Sequence, residues 1–173
     1  DPILEPLFNI APPFVKKRAV SFEGTAWTVE VTMAREAARF AADAVTLVRV
    51  SDDGIRLSQQ VGVSMEQGAV KSVTVRLPAS LPEAVVSGPA LREVRTSVKD
   101  GERLYECAFQ SDVLGSEALT FDHDLPLTPT LSVPFVKVDG VARLQRFFVT
   151  DNRSSRESRV TESTGLEPTT RQV

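Results

Sequence analysis

The single histidine of the 173-residue chain, His123, stands between Asp122 and Asp124 in the run FDHDLP. An imidazole flanked by two carboxylates can in principle shuttle a proton or offer nitrogen and oxygen donors to a metal. The spacing argues against both. Neighbouring side chains on an extended segment point to opposite faces, so the three groups cannot converge there. A structural zinc site needs four donors, commonly Cys and His, and the chain has one of each. The members of a Ser-His-Asp set need not be adjacent, but no Gly-x-Ser-x-Gly elbow is present. The stretch DHDLPLTPT reads as loop, so His123 reads as a turn residue, and an enzyme using His123 is the lesser functional alternative.

Other groups give equally little. Cys107, alone of its kind, lies in LYECAF, where alternation places it beside Tyr105 and Phe109 as a small buried thiol. Asp52-Asp53-Gly54 and Asp151-Asn152 carry oxygens suited to calcium, but neither has the D-x-D-x-D spacing of a dedicated loop. Lys16-Lys17-Arg18 suits a solvated strand edge better than a phosphate site. The nine glycines are scattered among turns and form no phosphate-cradling loop. No catalytic, cofactor-binding or metal-binding residue is therefore expected, and no cofactor.

The elements that would position such groups read as strands. Residues 1–13 hold four of the eleven prolines and form an extended lead-in. Residues 14–22 are strand-like, and Trp27, Val29, Val31 and Met33 alternate cleanly with Thr28, Glu30 and Thr32. Ala34, Ala37, Ala38, Ala41 and Ala42 recur at helical spacing, which predicts a short helix within 34–43. Residues 44–50 return to strand composition, and Ser51-Asp52-Asp53-Gly54 offers a turn suited to positive φ.

The best-marked stretch is 54–82. Ile55, Leu57, Gln59, Val61, Val63 and Met65 alternate, then Glu66-Gln67-Gly68, then Val73, Val75 and Leu77 alternate with Ser72, Thr74 and Arg76. Two alternating runs around a glycine predict a β-hairpin with one buried face. Gln59 on that apolar side needs a hydrogen-bond partner or an edge position. Two more hairpins are predicted around Asp100-Gly101 and Asp139-Gly140, and a short strand over 117–121.

About nine or ten short strands with turn residues between them predict an all-β fold, an antiparallel two-sheet β-sandwich. Its architecture is immunoglobulin-like without the Cys-Trp-Cys pattern, and it carries at most one short helix near 34–43. The domain organisation expected is a lead-in over 1–13, the sandwich over 14–150, and a polar tail or linker over 151–173, where Ser, Thr, Arg and Glu dominate.

Composition narrows function by exclusion. With 42% hydrophobic and 25% charged residues the chain can bury a core, and a net charge of −3 provides no basic field for nucleic acid. No stretch approaches the ~20 apolar residues of a membrane helix. The chain begins Asp1-Pro2, which suggests a processed product or a piece of something longer. One cysteine leaves the compartment open, with an extracytoplasmic one favoured. The function expected is a non-catalytic module for protein–protein binding or assembly. Its partner would be another protein or a neighbouring domain, with homo-oligomerisation through edge strands or terminal arms as a mode. The alternative is an extracytoplasmic accessory domain binding a glycan or peptide through end loops.

Overall fold

Strict alternation of buried and exposed residues along β2 (Ile55–Gln67), with Leu57, Gln59, Val61 and Val63 fully buried, marks the strand at the centre of the larger sheet. The computed structural model describes residues 37–157 together with Thr28. The lead-in over 1–13, the strands expected over 14–22 and 27–33, and residues 158–173 lie outside the described residues, Thr28 excepted.

Nine strands follow in order: β1 (Arg39–Val50), β2, β3 (Val70–Pro78), β4 (Val85–Ser87), β5 (Leu91–Lys99), β6 (Glu102–Val113), β7 (Ser116–Leu125), β8 (Lys137–Val138) and β9 (Arg143–Asn152). One sheet has the order β4-β7-β2-β1-β9 and the other β5-β6-β3-β8. All pairings are antiparallel except β1 with β9, which run parallel. The fold is an all-β sandwich of two sheets with no helix among the described residues.

Four local expectations are corrected. The alanine-rich stretch is not helical where it is described: Arg39 to Asp43 open β1, paired antiparallel with β2. Ala42 and Ala44 are buried in the main core, so tertiary packing overrides helix propensity. The 54–82 hairpin is also not a hairpin. β2 pairs with β1 and β7, whereas β3 pairs with β6 and β8 in the opposite sheet. Gly68, at φ 67°, turns the chain from one layer to the other. The physical reason is a degeneracy: two strands facing each other across a core show the same alternation as two strands paired edge to edge. Val63 and Met65 of β2 and Val73 and Val75 of β3 share one hydrophobic cluster.

The Asp139-Gly140 turn behaves likewise. β8 is only two residues long and pairs with β3, while β9 crosses to the other sheet. Asp139 is fixed there by a fork from Arg76, Nε at 2.7 Å and Nη2 at 2.6 Å. The Asp100-Gly101 turn forms the hairpin expected: β5 and β6 pair, and both turn residues are left-handed, φ 52° and 78°. β1 and β2 form a further hairpin, closed by the Ser51 amide donating to the Gly54 carbonyl at 2.9 Å. Gly54 is not among the described residues with positive φ, so that part of the expectation fails.

The core falls into two clusters. The main one lies between the sheets; the smaller one, around Val48, Ile55, Leu57 and Leu81, takes in Leu127, Leu131 and Val133 from the segment after β7. Tyr105 of β6 joins the layers, its ring edge-on to Phe121 of β7 at 5.3 Å and its hydroxyl accepting from the Ala84 amide at 2.9 Å.

Candidate functional site

β7 extends through Asp122–Leu125, so His123 sits on a strand and not in a turn, correcting the sequence reading. Alternation turns it inward, where it is 1% exposed. Its flanking carboxylates point away, as the strand geometry requires: Asp122 pairs with Arg56 at 2.9 Å, and Asp124 is exposed. Burial opposes ionisation of Asp122, but hydrogen bonds from Arg56 and Ser58 outweigh it and hold the carboxyl below its ordinary range. The Asp-His-Asp run therefore brings no three groups together.

Inside the sandwich His123 has other polar company. Thr46 stands opposite Gln59 on β1 and β2, and His123 is diagonal to Gln59 across the β2–β7 pair. These are the three buried polar residues of the described core. His123 Nδ1 lies 2.9 Å from the Pro82 carbonyl, which can only accept, so Nδ1 carries the proton. Its Nε2 and the Oε1 of Gln59 are buried without a partner. Burial pushes the imidazole pKa down, with Arg103 adding to that effect and the Pro82 bond and Asp122 opposing it. The result is a neutral ring enclosed by the core, suited to holding the segment around Pro82.

The remaining sequence candidates also take structural positions. Cys107 is fully buried, and its thiol pKa is pushed up to about 12 by that burial. The two oxygen-rich segments do meet, at the end of β1, β2 and β9, but the side-chain oxygens of Asp52, Asp151 and Asn152 take donors of the chain itself. Asp52 accepts the amide and hydroxyl of Ser155, both at 2.9 Å; Asn152 accepts the amide and hydroxyl of Ser154; and Asp151 takes Arg49 and Arg153. No metal-holding cluster occurs among the described residues. A shallow groove of about 270 Å³ crosses the outside of the smaller sheet, its Lys71, Arg92 and Arg95 balanced by Glu93, Glu106 and Asp112. Arg95 and Lys71 are paired with Glu93 and Asp112, so the groove presents no field of one sign.

Among the described residues, β4 and β9 stand at the edges of one sheet and β5 and β8 at the edges of the other. β4 and β8 are edges of three and two residues, too short to template another chain. β5 carries a register shift between Leu91 and Glu93 and the cations Arg92, Arg95 and Lys99. β9 carries Arg143 and Arg146 but is neither short nor shifted: it is ten residues long and in unbroken register with β1. Beyond its last rung the Arg153 amide donates to the Val50 carbonyl. Alternation back along the strand turns odd-numbered amides toward β1 and those of Leu144, Arg146, Phe148 and Thr150 toward the side on which no described strand pairs. On the outer face, Val45 stands opposite Phe147 and Leu47 opposite Val149, an apolar block whose Val149 is 37% exposed.

No family model matches the chain, and no curated relative matches it. Among solved structures it is similar to a non-cellulosomal cohesin from the hyperthermophilic archaeon Archaeoglobus fulgidus. The identity is 14% and the TM-score 0.40, over 65% of this chain and 91% of that one. The sandwich itself rests on this chain's own strand pairings. Sequence reasoning named edge strands as a class without finding β9, because the parallel partner that makes β9 an edge is about a hundred residues away.

Proposed function

We propose that the chain is a non-catalytic sandwich module that acts by binding or assembly, adding a strand of a protein partner to an open sheet edge. The observation that carries this reading is β9, an edge among the described strands: ten residues, no register shift, outward-facing amides and an adjoining apolar block. The placement of His123 gives no support to a reaction at that residue, since one ring nitrogen is engaged and the ring is enclosed by core residues. The groove gives none to glycan binding through aromatic platforms, because its one lining aromatic, Phe109, is buried.

Thr150→Pro tests the reading. Proline there deletes an edge-facing amide while leaving the β1 ladder its donors. Association of the full chain, with itself or with proteins crosslinked to it in its native extract, should fall at least about tenfold while the circular dichroism spectrum is retained. Association unaffected by Thr150→Pro and by an equivalent block of β5 sinks the proposal.

A further inference from the structure

We infer that the occupant of the β9 edge is β9 of a second copy, paired antiparallel about a two-fold axis at Phe147. This rests on the edge-binding reading and names the partner within it. The sequence of β9 is self-complementary in that register. With Phe147 opposite itself, Arg143 falls opposite Asp151 and Asp151 opposite Arg143, so opposite charges meet at both ends of the pair. Gln145 faces Val149 on the same side, and Leu144 faces Thr150 on the other.

The hydrogen-bond phase agrees. Leu144, Arg146, Phe148 and Thr150, whose amides face away from β1, become the hydrogen-bonded pairs of the new ladder. The odd-numbered residues become the close, non-hydrogen-bonded pairs, where side chains of opposite charge or two rings meet most directly. Pairing would also extend the apolar block of Val45, Leu47, Phe147 and Val149 across the axis into one continuous patch. The other edges lack this combination: β4 and β8 are short, and β5 is shifted in register and carries three cations against one carboxylate.

A charge-swap experiment tests the register. Analytical ultracentrifugation of the full chain should show a concentration-dependent dimer. Arg143→Asp and Asp151→Arg each place like charges opposite one another at both ends, and each should weaken self-association at least about tenfold. An equimolar mixture of the two variants sets opposite charges face to face again and should recover a dimer, which a general loss of structure could not do. Where a variant fails to fold, hydrogen exchange of the unaltered chain serves instead: the amides of Leu144, Arg146, Phe148 and Thr150 should gain protection as concentration rises. A chain monomeric at all concentrations overturns the inference, as does a dimer unaffected by both swaps or an exchange pattern independent of concentration. Binding of a different protein to β9 by a monomeric chain overturns the second copy as occupant and leaves the edge-binding function standing.

Discussion

The side-chain amide of Gln59, fully buried in the middle of β2, donates to the carbonyl of Pro134 at 3.0 Å. A residue of the central strand thereby holds a segment 75 positions away in sequence over the smaller hydrophobic cluster. Buried polar side chains in a sandwich core usually have such a task, because an unsatisfied one costs more than an apolar replacement.

Gln59→Met keeps the volume and deletes the donor, while also removing the unpartnered Oε1. The global cost should be about 1 kcal/mol. The local effect should be larger, with faster amide exchange over residues 127–136. Unchanged exchange there would show that the Pro134 bond does not hold the segment.

His123 sets a pH dependence. Its folded pKa is depressed below the ordinary value of 6.5, so below about 6.5 the unfolded chain binds a proton that the folded chain refuses. Stability should therefore decline as pH falls from about 6.5 toward the folded pKa, with a slope of at most about 1.4 kcal/mol per pH unit. The carboxylates Asp52, Glu93, Glu102, Asp122 and Asp151 are depressed too, but they act lower, from about pH 5 downward. Urea midpoints of His123→Leu should be flat between pH 7 and 5 where the native chain slopes. A slope that persists in the variant assigns it to another group.

Gly88 faces a close approach from β7. A Cβ there would lie 2.7 Å from the Ala118 carbonyl oxygen and 2.9 Å from a Leu119 methyl. Gly88→Ala should cost about 1–3 kcal/mol by pushing β4 away from β7. Gly115, with nothing within 4 Å of its Cβ position, is the control: its alanine variant should be neutral or slightly stabilising. Equal melting temperatures for the two variants would refute the steric account.

Cys107 should be inert in the folded protein. Its sulfur is fully buried and its thiol stays protonated at any ordinary pH. Alkylation at pH 8 should proceed only through unfolding, so its rate should track denaturant concentration. Rapid labelling without denaturant contradicts the burial.

The sequence revealed strands better than it revealed their partners. The alternation of Leu57, Gln59, Val61 and Val63 located β2 and its buried face, and Asp100-Gly101 located a true hairpin because its left-handed pair permits little else. Val73, Val75 and Leu77 located β3, yet nothing in their spacing told a paired neighbour from a strand facing β2 across the core. Ala41, Ala42 and Ala44 misled because helix propensity is weak against burial between sheets. Gln59 was recognised as needing a partner, but Pro134 is too distant in sequence to be read. His123 was misplaced because the prolines after it suggested a loop beginning too early, at Asp122 in place of the residues beyond Leu125.

The parallel pairing of β1 with β9 has a consequence for how the protein is made. Its rungs join residues 102 positions apart, as Arg49 and Asp151 are. Among the described strand pairings it closes the longest loop, so this pairing should set the pace of folding rather than the local β5–β6 hairpin. During synthesis β1 emerges long before β9, and among the described strands nothing else pairs with that side of β1 until almost all of the sandwich sequence has been translated. Among the described strands, β1 and not β9 is therefore the edge of the nascent sheet at that stage, with Val45 and Leu47 beside it.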